Sequence, residues 1–196
     1  MSPRVLGIDP GTVQLGWGIV QGGARPVLVA AGCCRAPTRL TASQRLAHLA
    51  RQLDEVLERV RPDHVAMETS FHGKNSQALL RLGEARGMVI GELGRRHLDV
   101  TDYTPAVVKK AVTGRGNSSK EGVARMVRAL LAPPRTVSRS PVDGSSANAA
   151  EVLLDAPLDI TDALAVALCH VHHLRWLRPQ EGPRTATRGA GSQRRD

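Results

Sequence analysis

Apolar and polar positions along the chain change period several times, and each change marks an element. Arg4–Asp9 is a short apolar run broken by Pro10-Gly11, the signature of a buried strand ending in a turn. Leu15–Val20 and Val27–Cys34 read as two further strands, with Gly22-Gly23 turning between them. Tight turns between three successive strands predict an antiparallel meander. From Thr41, a good N-cap, the period lengthens: Leu46, Leu49, Leu53, Val56, Leu57 and Val60 recur at helical spacing until Arg61-Pro62 stops the helix. His64–Met67 is a fourth short strand, running into Glu68.

Ser70–Lys74 reads as a loop, and Asn75 to about Arg96 as a helix carrying Ala78, Leu82, Ala85, Val89 and Leu93. Gly83, Gly87 and Gly91 interrupt that helix, each at a cost of ~1 kcal/mol against Ala, which close approach of another backbone would justify. Leu98–Tyr103 is the fifth strand. Two short helices, Thr104–Thr113 and Lys120–Leu131, flank the Gly114-Arg115-Gly116-Asn117 segment. Residues 133–150 are rich in Pro, Ser, Gly and Ala and read as a long flexible loop. Asp159–Leu177 is the last helix, and residues 178–196 read as a basic, disordered tail. The expected fold is α/β, a mixed sheet flanked by helices, in one domain over residues 1–177.

Composition narrows the function classes. With 41% hydrophobic and 23% charged residues in 196, the chain can bury an ordinary core and is not disordered as a whole. No apolar run approaches the length of a membrane span, and a strand begins by Arg4, so a soluble, cytoplasmic protein without a signal peptide is expected. Three cysteines without a CxxC pair suggest reduced thiols rather than a disulfide framework. The net charge of +9 is uneven: residues 1–132 hold 19 basic and 11 acidic side chains, whereas residues 133–172 hold two basic and five acidic. A basic body around a locally acidic stretch suits a polyanion handled at an acid-lined site. Only four of the 27 basic residues are Lys (Lys74, Lys109, Lys110 and Lys120), which marks them for tasks that Arg performs badly.

Four acids stand out by position. Asp9 and Glu68 end strands, where open α/β sheets place ligands. Asp159 and Asp162 open the last helix three residues apart, on a shared face. Singly, each has a structural reading: Asp9 as a turn residue, Asp159 and Asp162 as helix caps. Converging, the four would repel one another unless cations bound between them. Hard oxygen donors suit Mg²⁺ or Mn²⁺ rather than zinc, and two such ions are a solution for phosphodiester hydrolysis.

Five segments then carry a resemblance: LGIDPGTVQLGWGIV, VAMETSFHGKN, LRLGEARG, VVKKAVTGRGNSSK and DITDALAVALCH. Together they resemble RuvC, the family of crossover junction endodeoxyribonucleases, or Holliday junction resolvases, of the RNase H-like superfamily. The resemblance runs from about Arg4 to His173. It implies a five-stranded mixed sheet between helices, and metal ligands at Asp9, Glu68, Asp159 and Asp162. It also implies two Mg²⁺ ions per site, replaceable by Mn²⁺, and phosphate-side lysines at Lys109 and Lys120. Phe71, the only Phe in the chain, matches a residue that stacks on an unpaired base at the junction centre. Lys74, Asn75, Lys110, Arg115, Ser118 and Ser119 are the expected contacts to the DNA backbone.

The glycine-bearing helix matches the family's dimer helix, so a two-fold homodimer with one site for each of two opposed strands is implied. The RuvA–RuvB branch-migration complex is the implied partner. Residues 133–157 run longer than the family's usual stretch. His170, His172 and His173 read as a surface helix end, with transition-metal binding the lesser alternative. An actin-like ATPase would need two such domains and a different phosphate loop. A junction-binding module without catalysis and an RNA–DNA hybrid ribonuclease of the same superfamily are the competing readings.

Overall fold

A computed structural model describes residues 2–69, 76–132, 153 and 156–177. The expectations for Phe71, Lys74 and Asn75, for the tail 178–196 and for nearly all of the 133–157 loop lie outside the described residues. Five strands form one sheet: β1 (Arg4–Asp9), β2 (Gln14–Gln21), β3 (Val27–Arg35), β4 (His64–Glu68) and β5 (Val100–Tyr103). Their spatial order is β3-β2-β1-β4-β5. β1, β2 and β3 pair antiparallel, and β4 and β5 join in parallel, so the sheet is mixed as expected.

The parallel half needs crossovers, and helices supply them. α1 (Ala42–Val60) and α2 (Ser76–Gly94) cover one face; α3 (Pro105–Thr113), α4 (Lys120–Leu131) and α5 (Leu158–Leu177) cover the other. α1 starts at Thr41 with a complete capping box, the Thr41 side chain accepting from the Gln44 N–H while Gln44 reaches back. It ends at Arg61, whose left-handed φ of 42° turns the chain before Pro62. Leu49, Leu53, Val56, Leu57 and Val60 bury its inner stripe against Leu6, Ile8, Leu15 and Met67. Each fully buried Leu there contributes ~1.5–3 kcal/mol. Arg96 ties α2 to α1 through Asp54 at 2.6 Å and Glu58 at 2.9 Å.

α5 obeys a different rule. All residues from Ile160 to Val171 are buried except Asp162, because the helix is sandwiched between the sheet and α3 and α4. It reaches the sheet over glycines. A Cβ on Gly7 would fall 1.9 Å from the Ala163 carbonyl oxygen, and one on Gly16 would fall 2.2 Å from the Asp159 carbonyl oxygen. Both neighbours are backbone, so only glycine permits this approach.

One expectation needs correction. His170 is not part of a surface helix end: it is 3% exposed, and its Nδ1 lies 2.8 Å from the Tyr103 hydroxyl. The apolar surroundings of α5 and the nearby His64 and His173 rings hold its pKa down to about 4. Among the described residues no cluster of His, Cys, Asp or Glu there is arranged to hold a metal. The glycines of α2 leave an open face: among the described residues, a Cβ on Gly83, Gly87 or Gly91 would find no atom within 4 Å.

Candidate active site

Sheet register brings the first two acids together. Asp9 is the last residue of β1, paired across the antiparallel ladder with Gly16. Ile8 pairs in parallel with Met67, so the next residue on each strand is Asp9 and Glu68, side by side at the carboxyl ends. The α5 backbone rests on Gly16 at Asp159, which carries the first turn of that helix over the same strand ends. Asp162 follows three residues later on the same face. All four carboxylates, with Lys109 of α3 and Lys120 of α4, line one cavity of about 210 Å³. Its remaining walls are mostly apolar, including Ile8, Val108, Val123 and Val166.

The electrostatics follow from that crowding. Burial pushes the Asp9 carboxyl up to about 7, and the charges of Asp162, Asp159 and Glu68 add to it against the opposing pull of Lys120. Asp162 is also raised by burial, with Lys120 working against the shift from 3.5 Å away. Asp159 accepts a hydrogen bond from the Gln14 amide. These protein partners occupy Asp159 and Asp162, and among the described residues no three Asp, Glu, His or Cys side chains stand close enough to hold an ion between them. The donor set nevertheless suits a hard divalent cation. It offers carboxylate oxygens alone, partly buried, and includes an acid held near neutrality that a neighbouring cation would return to its charged form.

The Gly114–Ser119 segment joins the two lysine helices. Gly114 caps α3 at φ 78°, its N–H donating to the Lys110 carbonyl at 2.9 Å. The Thr113 hydroxyl lies 2.7 Å from that of Ser118 and accepts from the Arg115 N–H at 3.2 Å. Ser119 is the N-cap of α4, accepting from the Gly122 N–H at 3.1 Å. Both serines, expected at the DNA, thus have their hydroxyls engaged in building the loop. Arg115 and Lys110 are exposed, and Lys110 does not line the cavity. Sequence reasoning passed over Gln14 and Arg35, which join the site from the ends of β2 and β3. The available signal was polarity: Gln14 sits two residues before Gly16, on the strand face that meets α5.

Comparison with known proteins agrees with the geometry. The family model described as crossover junction endodeoxyribonuclease RuvC matches residues 5–153. The RuvC of Pelotomaculum thermopropionicum is 39% identical over 175 residues, covering 89% of this chain and 96% of that protein. The RuvC of Cereibacter sphaeroides is 40% identical over 173 residues, covering 88% and 91%. A structure of Thermus thermophilus RuvC in complex with a Holliday junction substrate superposes with a TM-score of 0.71 at 31% identity, covering 89% of this chain and 96% of that one. The yeast mitochondrial Holliday junction resolvase Ydc2 shares the fold, with a TM-score of 0.58 at 14% identity. With its matched model, its relatives and its acid-lined strand ends in agreement, the chain belongs to the RuvC family of crossover junction endodeoxyribonucleases.

Proposed function

We propose that the protein is a structure-selective endonuclease that resolves four-way DNA junctions by paired, symmetric nicks. The observation that carries this reading is the convergence of Asp9, Glu68, Asp159 and Asp162 with Lys109 and Lys120 on one cavity at the strand ends. Asp9, Glu68, Asp159 and Asp162 would hold two Mg²⁺ or Mn²⁺ ions, which when bound supply Lewis-acid activation of water and charge neutralisation at the leaving 3′ oxygen. Lys109 and Lys120, on opposite sides of the Gly114–Ser119 loop, set positive charge beside the reacting phosphate, where it offsets charge that develops in the transition state. The apolar side chains Ile8, Val108, Val123 and Val166 back the cavity and lower the local polarity around these charges. Hydrolysis in this geometry leaves 5′-phosphate and 3′-hydroxyl ends.

DNA contacts extend outward from the cavity. Arg115 and Lys110 are exposed and reach backbone phosphates; Ser118 and Ser119 act by shaping the loop that presents them. Phe71 stacks on an unpaired base, with Lys74 and Asn75 on the adjoining backbone. Two copies pair through α2, whose open glycines and exposed Leu80 and Ile90 (65% and 45%) form a face of the kind a second helix can approach closely. That dimer presents one site to each of two opposed strands. The protein acts in the cytoplasm with the RuvA–RuvB complex; among the described residues no helix is long and apolar enough to cross a membrane.

The test is substrate choice. A synthetic four-way junction, the matched duplex and an RNA–DNA hybrid are incubated with the protein and Mg²⁺ or Mn²⁺. The reading expects symmetric nicks in the junction alone, sealable by ligase without processing. Binding without nicking under either metal would make the protein a junction-binding module, and cutting of the hybrid would place it with the ribonucleases.

A further inference from the structure

The end of the β2–β3 hairpin carries a polar relay that ends on an active-site acid. Gln14, the first residue of β2, and Arg35, the last of β3, are register partners across the antiparallel pair. The Arg35 Nε donates to Gln14 Oε1 at 3.0 Å, and Gln14 Nε2 donates to Asp159 Oδ2. Nε2 also lies 3.6 Å from the Cys33 sulfur. The orientation of the amide follows from the chemistry of its neighbours. A guanidinium offers only donors and a carboxylate only acceptors, so Oε1 must face Arg35 and Nε2 must face Asp159. Charge reinforces both bonds, since each has one ionised partner.

Position fixes the relay as firmly as chemistry does. Gly16, two residues beyond Gln14 on the same strand face, underlies the Asp159 backbone. β2 therefore holds Asp159 twice, beneath its main chain through Gly16 and at its carboxylate through Gln14. Cys33, opposite Gly16 in the register, closes the side of the relay with a thiol whose pKa is raised by burial and by Asp159. The sulfur is a neutral neighbour that does not compete for the carboxylate.

We infer that Gln14, oriented by Arg35, is a positioning residue for Asp159, fixing Oδ2 so that Oδ1 is presented to the cavity as a metal ligand. The inference rests on the proposed role of Asp159 as a ligand, and it deepens that reading. A neutral donor is what the position requires. It locks the carboxylate without cancelling its charge, as outer-shell partners of ligating carboxylates do. A cation in the same place would compete with the metal.

The test measures Mn²⁺ binding to the DNA-free protein, by loss of the free-ion EPR signal and by calorimetry, for wild type, Gln14→Ala, Arg35→Gln and Asp159→Asn. Loss of an outer-shell partner costs ~10–100-fold in metal affinity, so Gln14→Ala is expected to fall in that range and Arg35→Gln to show a smaller loss. A merely structural role would lower the melting temperature and leave the affinity alone. The positioning role instead leaves melting unchanged, shifts the Mn²⁺ concentration for half-maximal junction cleavage upward, and restores cleavage at saturating Mn²⁺. If Gln14→Ala binds Mn²⁺ as tightly as wild type, or more tightly, the inference is overturned, the latter marking Gln14 as a competitor that the ion must displace. Asp159→Asn separates the two levels. Undiminished Mn²⁺ binding in that variant sinks the ligand role itself, whereas loss there with no change in Gln14→Ala sinks the positioning role alone.

Discussion

Replacing Gly16 by Ala tests how the fold delivers its acids to one place. The added Cβ would sit 2.2 Å from the Asp159 carbonyl oxygen and 2.5 Å from its carbonyl carbon, both main-chain atoms that no rotamer change can move. Packing contacts to carbon begin at ~3.5 Å, so the first turn of α5 must retreat from β2 by about 1 Å. That turn bears Asp159, with Asp162 one turn further along the same face. Overpacking of this kind costs ~1–3 kcal/mol of stability. A displacement of about 1 Å in groups that position the reacting atoms costs ~100-fold in rate. The assay is single-turnover cleavage of a four-way junction at saturating Mn²⁺, beside chemical denaturation and junction binding without divalent metal. The expected result is a ~100-fold slower cleavage step with junction affinity unchanged, because the atoms nearest the new Cβ all belong to Asp159 and none to the loop between α3 and α4 that we propose contacts DNA. Wild-type cleavage by a stably folded Gly16→Ala protein would refute the reasoning, since Asp159 would then not depend on the close approach of helix to strand.

Other predictions come from the interior and the surface. The His170 imidazole, its folded pKa held down to about 4 against an ordinary 6.5, is neutral in the folded protein between those pH values and gains a proton on unfolding there. Its contribution is full above pH 6.5 and is lost as pH falls from there through 4, a change of at most ~3 kcal/mol. NMR titration showing His170 protonating near pH 6.5 would contradict this. Tyr103→Phe leaves His170 Nδ1 without its partner at 2.8 Å and is expected to cost ~1–3 kcal/mol in denaturation, with junction binding unaffected. Gly87→Glu sets a charge on the open face of α2, where among the described residues a Cβ meets no atom within 4 Å. Sedimentation should then show the proposed dimer reduced to a monomer of undiminished thermal stability, and an intact dimer would remove α2 from the proposed interface.

Much of this was legible in the chain because local signals and tertiary packing agree. β1 runs Arg4–Asp9 and α4 runs Lys120–Leu131, as their apolar patterns and breakers require. Asp9, Glu68, Asp159 and Asp162 were readable as a set because each stands at the end of a strand or the start of a helix. What the sequence hid were the properties set by neighbours distant along the chain. The all-round apolar pattern of α5 left His170 looking terminal, and only the covering of α3, α4 and the sheet makes it a core residue. Gln14 was missed because β2 was expected to begin at Leu15, which left its amide in a turn instead of on the face that meets Asp159. The sequence also left the capping role of Ser119 unread: its hydroxyl accepts from the Gly122 N–H and keeps its proton free to donate to a phosphate.

Asp162→Asn decides whether the four carboxylates gathered where β1, β4 and the start of α5 meet make this protein a metal-dependent junction nuclease. The substitution keeps the shape of the side chain and removes one charge from a crowded, partly buried set. Single-turnover cleavage of a four-way junction in Mg²⁺ is compared with junction affinity measured in the same buffer. The account predicts affinity equal to or above wild type and a cleavage rate lowered by at least ~100-fold. An Asp162→Asn protein that nicks the junction at the wild-type rate would contradict it.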